Sequence, residues 1–234
     1  MSKYNYKEIR ERAWEANMGL VKYNLVKYTF GNVSAFDPEK AVFAIKPSGF
    51  PYEYLKPEDL VVVDLENKVV EGKNRYSSDT KTHSLLYRNF RGIGGVAHVH
   101  APYSVAWAQA VKPIPVLGTT HADAASHDIP CTEIMSDEMI KGDYEEETGN
   151  QILETFRDIS YKEVEMVLVA CHGPFTWGET PEKALYNCVM VEEIAKMALL
   201  TLLINPSVSR LKNTLISKHY TRKHGKDAYY GQDN

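Results

Sequence analysis

His98 and His100 stand two residues apart in Val96-Ala97-His98-Val99-His100, and His172 sits between Cys171 and Gly173-Pro174. If the first stretch is a strand, its side-chain period of two sends both imidazoles from the same face. Two adjacent histidines pointing one way make half of a metal site. A third from a second strand of the same sheet would give three neutral nitrogens and an open position, as in a catalytic zinc centre. The same spacing suits two satisfied polar residues on a strand, so spacing alone leaves both readings open. A thiol nucleophile at Cys171 paired with His172 is not expected, because neighbours along a strand point to opposite faces. Cys171 is expected to be a small buried residue.

Ser77-Ser78-Asp79-Thr80 carries two hydroxyls just before a segment with helical spacing. Hydroxyls and backbone N–H groups at a helix start can hold a phosphate. An acid beside that anion suits a metal or a proton transfer, and a plain helix cap is the simpler alternative. Gly31-Asn32 and Lys46-Pro47-Ser48-Gly49 are turn-like segments, each ordinary by itself. Joined by the fold, the three segments and Lys46 would form a phosphate cradle. Gly92-Ile93-Gly94-Gly95-Val96-Ala97 matches the glycine pattern of dinucleotide folds. That pattern must follow a strand and open a helix; here it follows a helix and enters the His98 strand, so no nicotinamide cofactor is expected.

Positioning these residues requires an alternation of helices and strands along the chain. Helical spacing covers Tyr6 to about Val26, Thr80 to Phe90, Tyr103 to Ala110 and Glu145 to Phe156. It covers Thr180 to about Ile204 as well, with Thr180 as cap and Pro181 at the first helical position. A last helix is expected from about Ser207 to His219, before a basic, tyrosine-rich tail. Strands are expected at Val33–Phe36, Ala41–Ile45, Leu60–Val63, Lys68–Val70, Val96–His100 and Glu165–Ala170. Pro113–Leu117 and Cys131-Thr132 read as short extended pieces. The order lacks strict βαβ alternation, which predicts an α/β single domain, 1–234, with a mixed or mostly antiparallel central sheet covered by helices.

Composition sets the outer bounds. With 234 residues, 44% hydrophobic and 25% charged, the chain can bury a full core, which excludes collagen-like and disordered classes. A formal charge of −4 gives no electrostatic reason to expect nucleic acid. The charged N-terminus has no signal-like apolar core, and no apolar run is long enough to span a bilayer. Three cysteines without a CxxC spacing suit a reducing, cytoplasmic setting.

Taken in order along the chain, these motifs resemble the class II aldolase/epimerase family. The resemblance runs through Gly31-Asn32-Val33-Ser34, Lys46-Pro47-Ser48-Gly49, Ser77-Ser78-Asp79-Thr80, His98-Val99-His100 and Thr119-Thr120-His121-Ala122-Asp123. It continues through Glu147-Thr148-Gly149-Asn150, His172-Gly173-Pro174-Phe175, the basic run Lys218 to Gly225, and Tyr229-Tyr230-Gly231-Gln232. It implies a class II aldolase-like fold and one Zn2+ per subunit, held by His98, His100 and His172 with Asp79 near or on the metal. It implies that Gly31, Asn32, Ser48, Gly49, Ser77 and Ser78 hold a substrate phosphate, with Lys46 close by. Asp123 and Tyr230 would be the proton-transfer pair, supported by Glu145, His219 and Arg222. In this family the site lies between subunits of a homotetramer, so the tail from about 219 to 234 would serve a neighbouring chain.

Related aldolases place Glu, as catalytic base, where this chain has Asp79; that and the Asp123 and Tyr230 motifs resemble the epimerase branch. The implied reaction interconverts L-ribulose 5-phosphate and D-xylulose 5-phosphate, a pentulose phosphate pair of arabinose catabolism; the alternative is an aldolase or dehydratase using another sugar phosphate. The chain departs from the family pattern at Val99, where Thr is common, and at Ala124-Ala125, where bulkier aromatics are usual.

Overall fold

The computed structural model describes residues 5–224 and 228–229. Seven strands form one sheet: β1 (Asn32–Asp37), β2 (Val42–Ile45), β3 (Val61–Asp64), β4 (Val69–Glu71), β5 (Gly95–His98), β6 (Met166–Val169) and β7 (Gly173–Gly178). Their order across the sheet is β4-β3-β2-β1-β5-β7-β6, and every neighbouring pair is antiparallel. The helices are α1 (Lys7–Lys22), α2 (Thr80–Asn89), α3 (Pro102–Gln109), α4 (Thr119–Ala124), α5 (Asp137–Lys141), α6 (Tyr144–Thr155), α7 (Pro181–Ile204) and α8 (Asn213–His224).

The two faces of the sheet are covered differently. Phe36, Phe43, Val96 and Trp177 point to the face covered by α2 and α6, where Tyr87 stacks on Phe36 at 4.6 Å and Phe90 tilts against Trp177 at 5.0 Å. The opposite face, with Val33, Ala35, Ala44 and Ala97, is covered by α1 and α7. Small side chains there let the helices come close. Buried Asn17 of α1 donates to the Val33 carbonyl at 2.7 Å and accepts from the Val33 N–H at 3.0 Å. The expected antiparallel sheet, with helices on both sides, is what the chain forms.

Several boundaries differ from expectation. α1 ends at Lys22 and α8 starts at Asn213, six residues beyond Ser207. β7 was not foreseen: Gly173-Pro174-Phe175-Thr176-Trp177-Gly178 is buried on both faces and shows no alternation. Cys171 is not a buried packing residue. It is exposed, with φ of +61°, in the turn between β6 and β7.

The glycine pattern before β5 has a packing origin. A Cβ on Gly95 would lie 2.4 Å from Pro181 Cα and 2.7 Å from the Thr180 carbonyl, so glycine lets β5 pass under the start of α7. Among the described residues, no helix is long and apolar enough to cross a membrane.

Candidate metal centre and active site

One end of the sheet gathers the chemistry. β2 and β5 finish there, β1 and β7 begin there, and the N-terminus of α2 arrives beside them. The antiparallel register places Asn32 opposite His98 and His98 opposite Phe175, so segments distant in sequence converge. A bridge between Pro47 and Tyr76, with Ser48 N–H donating to the Arg75 carbonyl at 3.0 Å, joins the Lys46–Gly49 turn to Ser77-Ser78. Gly31 has φ of +79°, and a Cβ there would meet the His98 carbonyl at 3.0 Å. That position therefore needs glycine.

The resulting cavity holds about 350 Å³. Gly31, Asn32, Lys46, Ser48, Gly49, Ser77, Ser78, Asp79, His98, His100, Glu145 and His172 all line it, as do Thr29, Phe30, Pro47 and Tyr144. The histidines are neither scattered nor on an outer strand face, and Asp79 makes no side-chain capping bond to α2. Its carboxylate instead accepts from Asn32 Nδ2 at 2.6 Å.

Ligand nitrogens of His98, His100 and His172 lie within 4.8 Å of one another. His98 is the last residue of β5 and His100 lies just past it, while His172 stands on the β6–β7 turn. His98 Nδ1 donates to the Pro174 carbonyl at 2.9 Å, which leaves the lone pair of Nε2 facing His100 Nε2 at 3.0 Å. Two ring nitrogens at that distance need a proton or a cation between them. Burial lowers the pKa of His100 and, with its two histidine neighbours, pushes that of His172 down to about 3. A proton is therefore disfavoured, and the donor set fits a divalent cation bound by three neutral imidazoles. Among the described residues this group comprises the three histidines, and Asp79 is a wall of the same cavity engaged with Asn32.

Lys46 places one cationic side chain on the wall of a cavity that also carries Asp79 and Glu145. Lys46 is buried, its Nζ donates to the Thr29 carbonyl at 3.0 Å and lies 4.7 Å from the Tyr52 ring centre. Burial lowers its pKa to about 8, with the Asp79 charge acting in the opposite sense. Burial would raise the Asp79 carboxyl, but the fields of His98 and His83 and the Asn32 hydrogen bond outweigh it, and the net shift is downward. Phe30 stacks on His100 with ring centres 5.8 Å apart, forming an apolar wall.

Asp123, His219 and Arg222 form a separate constellation. Asp123 lies in the last turn of α4, and its carboxylate accepts from His219 Nδ1 at 3.0 Å, Arg222 Nε at 3.0 Å and Arg222 Nη2 at 2.7 Å, all from α8. Burial raises the Asp123 carboxyl, and the hydrogen bonds from Arg222 and His219 with the Lys223 charge bring it below the usual carboxylate range. None of the three lines the His98 cavity of its own chain. Tyr230 lies outside the described residues. Tyr144 was missed by sequence reasoning. It carries no motif of its own, and only its place beside Glu145 at the start of α6 could have signalled it.

Comparison with known proteins agrees with this geometry. The Class II Aldolase and Adducin N-terminal domain family matches residues 11–199. The chain is 47% identical over 225 residues to the L-ribulose-5-phosphate 4-epimerase UlaF of Salmonella paratyphi B, covering 96% of this chain and 99% of that protein. Among solved structures, an L-fuculose 1-phosphate aldolase superposes with a TM-score of 0.76 at 25% identity, covering 94% of this chain and 95% of that one. The L-fuculose 1-phosphate aldolase from Glaciozyma antarctica PI12 gives 0.75 at 17% identity, over 95% of this chain and 84% of that one. With the family match spanning most of its length, and near-complete alignment to a relative at 47% identity, the chain belongs to the class II aldolase and adducin N-terminal domain family.

Proposed function

We propose that this protein is a zinc-dependent epimerase that interconverts L-ribulose 5-phosphate and D-xylulose 5-phosphate by breaking and re-forming the C3–C4 bond. One observation carries the reading: three histidines able to hold a cation share a single cavity with Lys46, Ser48, Gly49, Ser77 and Ser78. The 47% identity to an L-ribulose-5-phosphate 4-epimerase selects the substrate pair. The pair is compatible with arabinose catabolism, and the odd, unpaired cysteines suit a cytoplasmic enzyme.

C4 of a 2-ketopentose phosphate bears no hydrogen α to the carbonyl, so deprotonation at carbon cannot invert it. Cleavage of C3–C4, rotation of the aldehyde and re-addition achieves the inversion. Bound to His98, His100 and His172, with Asp79 near or on it, Zn2+ supplies Lewis-acid stabilisation of the negative charge left on the three-carbon fragment. Lys46 and the N–H and hydroxyl groups of Gly31, Asn32, Ser48, Gly49, Ser77 and Ser78 hold the phosphate, so the two-carbon fragment stays while its aldehyde turns. Asp123 accepts the C4 hydroxyl proton on one face, and Tyr230 returns a proton on the other. The Arg222 and His219 contacts keep Asp123 ionised at neutral pH and so able to accept. Glu145, on the cavity wall, serves the sugar hydroxyls. Asp123, His219, Arg222 and Tyr230 reach the cavity of an adjacent subunit in a homotetramer.

The test is incubation of the purified protein with L-ribulose 5-phosphate, with and without a chelator. The expected result is D-xylulose 5-phosphate, abolished by the chelator and restored by Zn2+. Net release of a three-carbon ketone would identify an aldolase instead.

A further inference from the structure

Each of the three clustered imidazoles has its ring fixed by something other than its fellow ligands, and the three devices differ. His98 is held by the Pro174 carbonyl and His100 by stacking on Phe30. His172 stands on an exposed turn, with its ring edge-on to His98 at 4.7 Å and to His100 at 5.0 Å. Its Nδ1 lies 3.3 Å from the hydroxyl of Tyr144, whose ring is tilted 36° to the imidazole at 6.1 Å.

Tyr144 is itself fixed from both sides. It opens α6, and Asp143 caps that helix by accepting from Glu146 N–H at 3.3 Å. Asp143 is paired with Lys81 of α2, and Thr82 of α2 donates to the Glu145 carbonyl at 2.6 Å. Thr148 Oγ1 donates to the Tyr144 carbonyl at 2.9 Å. The hydroxyl is therefore presented to His172 by the same helix whose first turn delivers Glu145 to the cavity wall.

We infer that Tyr144 is a positioning residue for the metal, acting through His172: its hydroxyl accepts the Nδ1 proton and commits Nε2 to the cation. A carbonyl could only accept from this imidazole, whereas a hydroxyl can also donate. Tyr144 thus supports His172 in both tautomers, and cation binding selects the one with Nδ1–H. When the oxygen accepts from Nδ1, its own proton is released to face the cavity. Outer partners of ligating histidines set ring orientation and ligand basicity in this manner.

This rests on the reading that the three histidines hold a metal, and the test separates the two. Apo wild-type protein and Tyr144→Phe are titrated with Co2+ and Zn2+ without substrate, recording the Co2+ visible bands and competition with a coloured chelator. Loss of the Tyr144 hydroxyl leaves the half-exposed ring in place, and equal thermal midpoints for the two apo proteins verify the fold. The expected result is metal affinity weakened roughly 10- to 100-fold in Tyr144→Phe, with shifted Co2+ bands. Equal affinity and identical bands in both proteins overturn this inference alone. Wild-type protein that takes up neither ion overturns the metal reading, and this inference with it.

Discussion

Lys46 illustrates how one residue's surroundings become a measurable property. A lysine buried beside Tyr52, with a backbone carbonyl as its nearest hydrogen-bond partner, gives up its proton near pH 8 rather than above 10. Its positive charge is present below that value and lost above it. If this charge holds the substrate phosphate, kcat/KM, which reports the free enzyme, falls as pH rises through about 8. Lys46→Met should lower kcat/KM at neutral pH by about tenfold or more, since hydrogen bonds to charged groups contribute roughly 1.5–3 kcal/mol. The variant should also lose the wild-type decline across that window. A Lys46→Met profile that falls in parallel with wild type would assign the titration elsewhere. At this scale the sequence was most legible. Histidine spacing and small-residue turns are local signals, and His98, His100 and His172 share one cavity with Ser77, Ser78 and Asp79. Tyr144 escaped because its role depends on a partner 28 residues away on a different turn.

Elements convert those local signals into geometry, and here the strand register does most of it. Asn32 opposite His98 and His98 opposite Phe175 fix the distance between the cradle and the histidines. The strands β3 and β6 could be read as short apolar runs, and the long helix α7 from its Thr180-Pro181 start. β7 could not, because a central strand has no polar face and Gly173-Pro174 looks like a turn. Pro174 is the second residue of that strand, and its carbonyl is what holds the His98 ring. α4 and α5 were missed because six and five residues are too short to show a helical period. The start of α7 lies against Gly95, so backbone separation at that crossing is set by the absence of a side chain. Gly95→Ala drives a methyl into Pro181 and Thr180 backbone atoms that cannot rotate away. Urea unfolding should show a loss of about 1–3 kcal/mol, the usual range for overpacking. Because β5 carries His98, Co2+ affinity should fall in the same variant; unchanged stability would mean that the crossing relaxes freely.

At the scale of the whole molecule, the two halves of the proposed chemistry are held apart within one chain. Asp123 is tied to α8 through Arg222 and His219, and Ile216 of α8 packs with Val116 and Ala122 beside it. The α8 segment is thus anchored, and Asp123 does not line the His98 cavity of its own chain. Along the same side, α7 ends with Leu203 70% and Ile204 85% exposed, which is costly for a lone chain and suits an assembly. If adjacent copies complete one another's sites, each site draws its histidines from one chain and Asp123 from the next. Asp123→Asn and His100→Asn should then each abolish epimerisation alone, through different chains of the same site. Mixed by co-expression, the two inactive proteins should regain activity, because about one quarter of sites in a randomly mixed cyclic assembly combine an intact His100 with an intact Asp123. Reassortment measured against total subunits gives that fraction directly, with differently tagged chains verifying that mixed oligomers form. If tagged mixed oligomers are recovered and stay inactive, Asp123 works in its own chain's site or not at all, and the shared-site reading fails while the metal cavity stands.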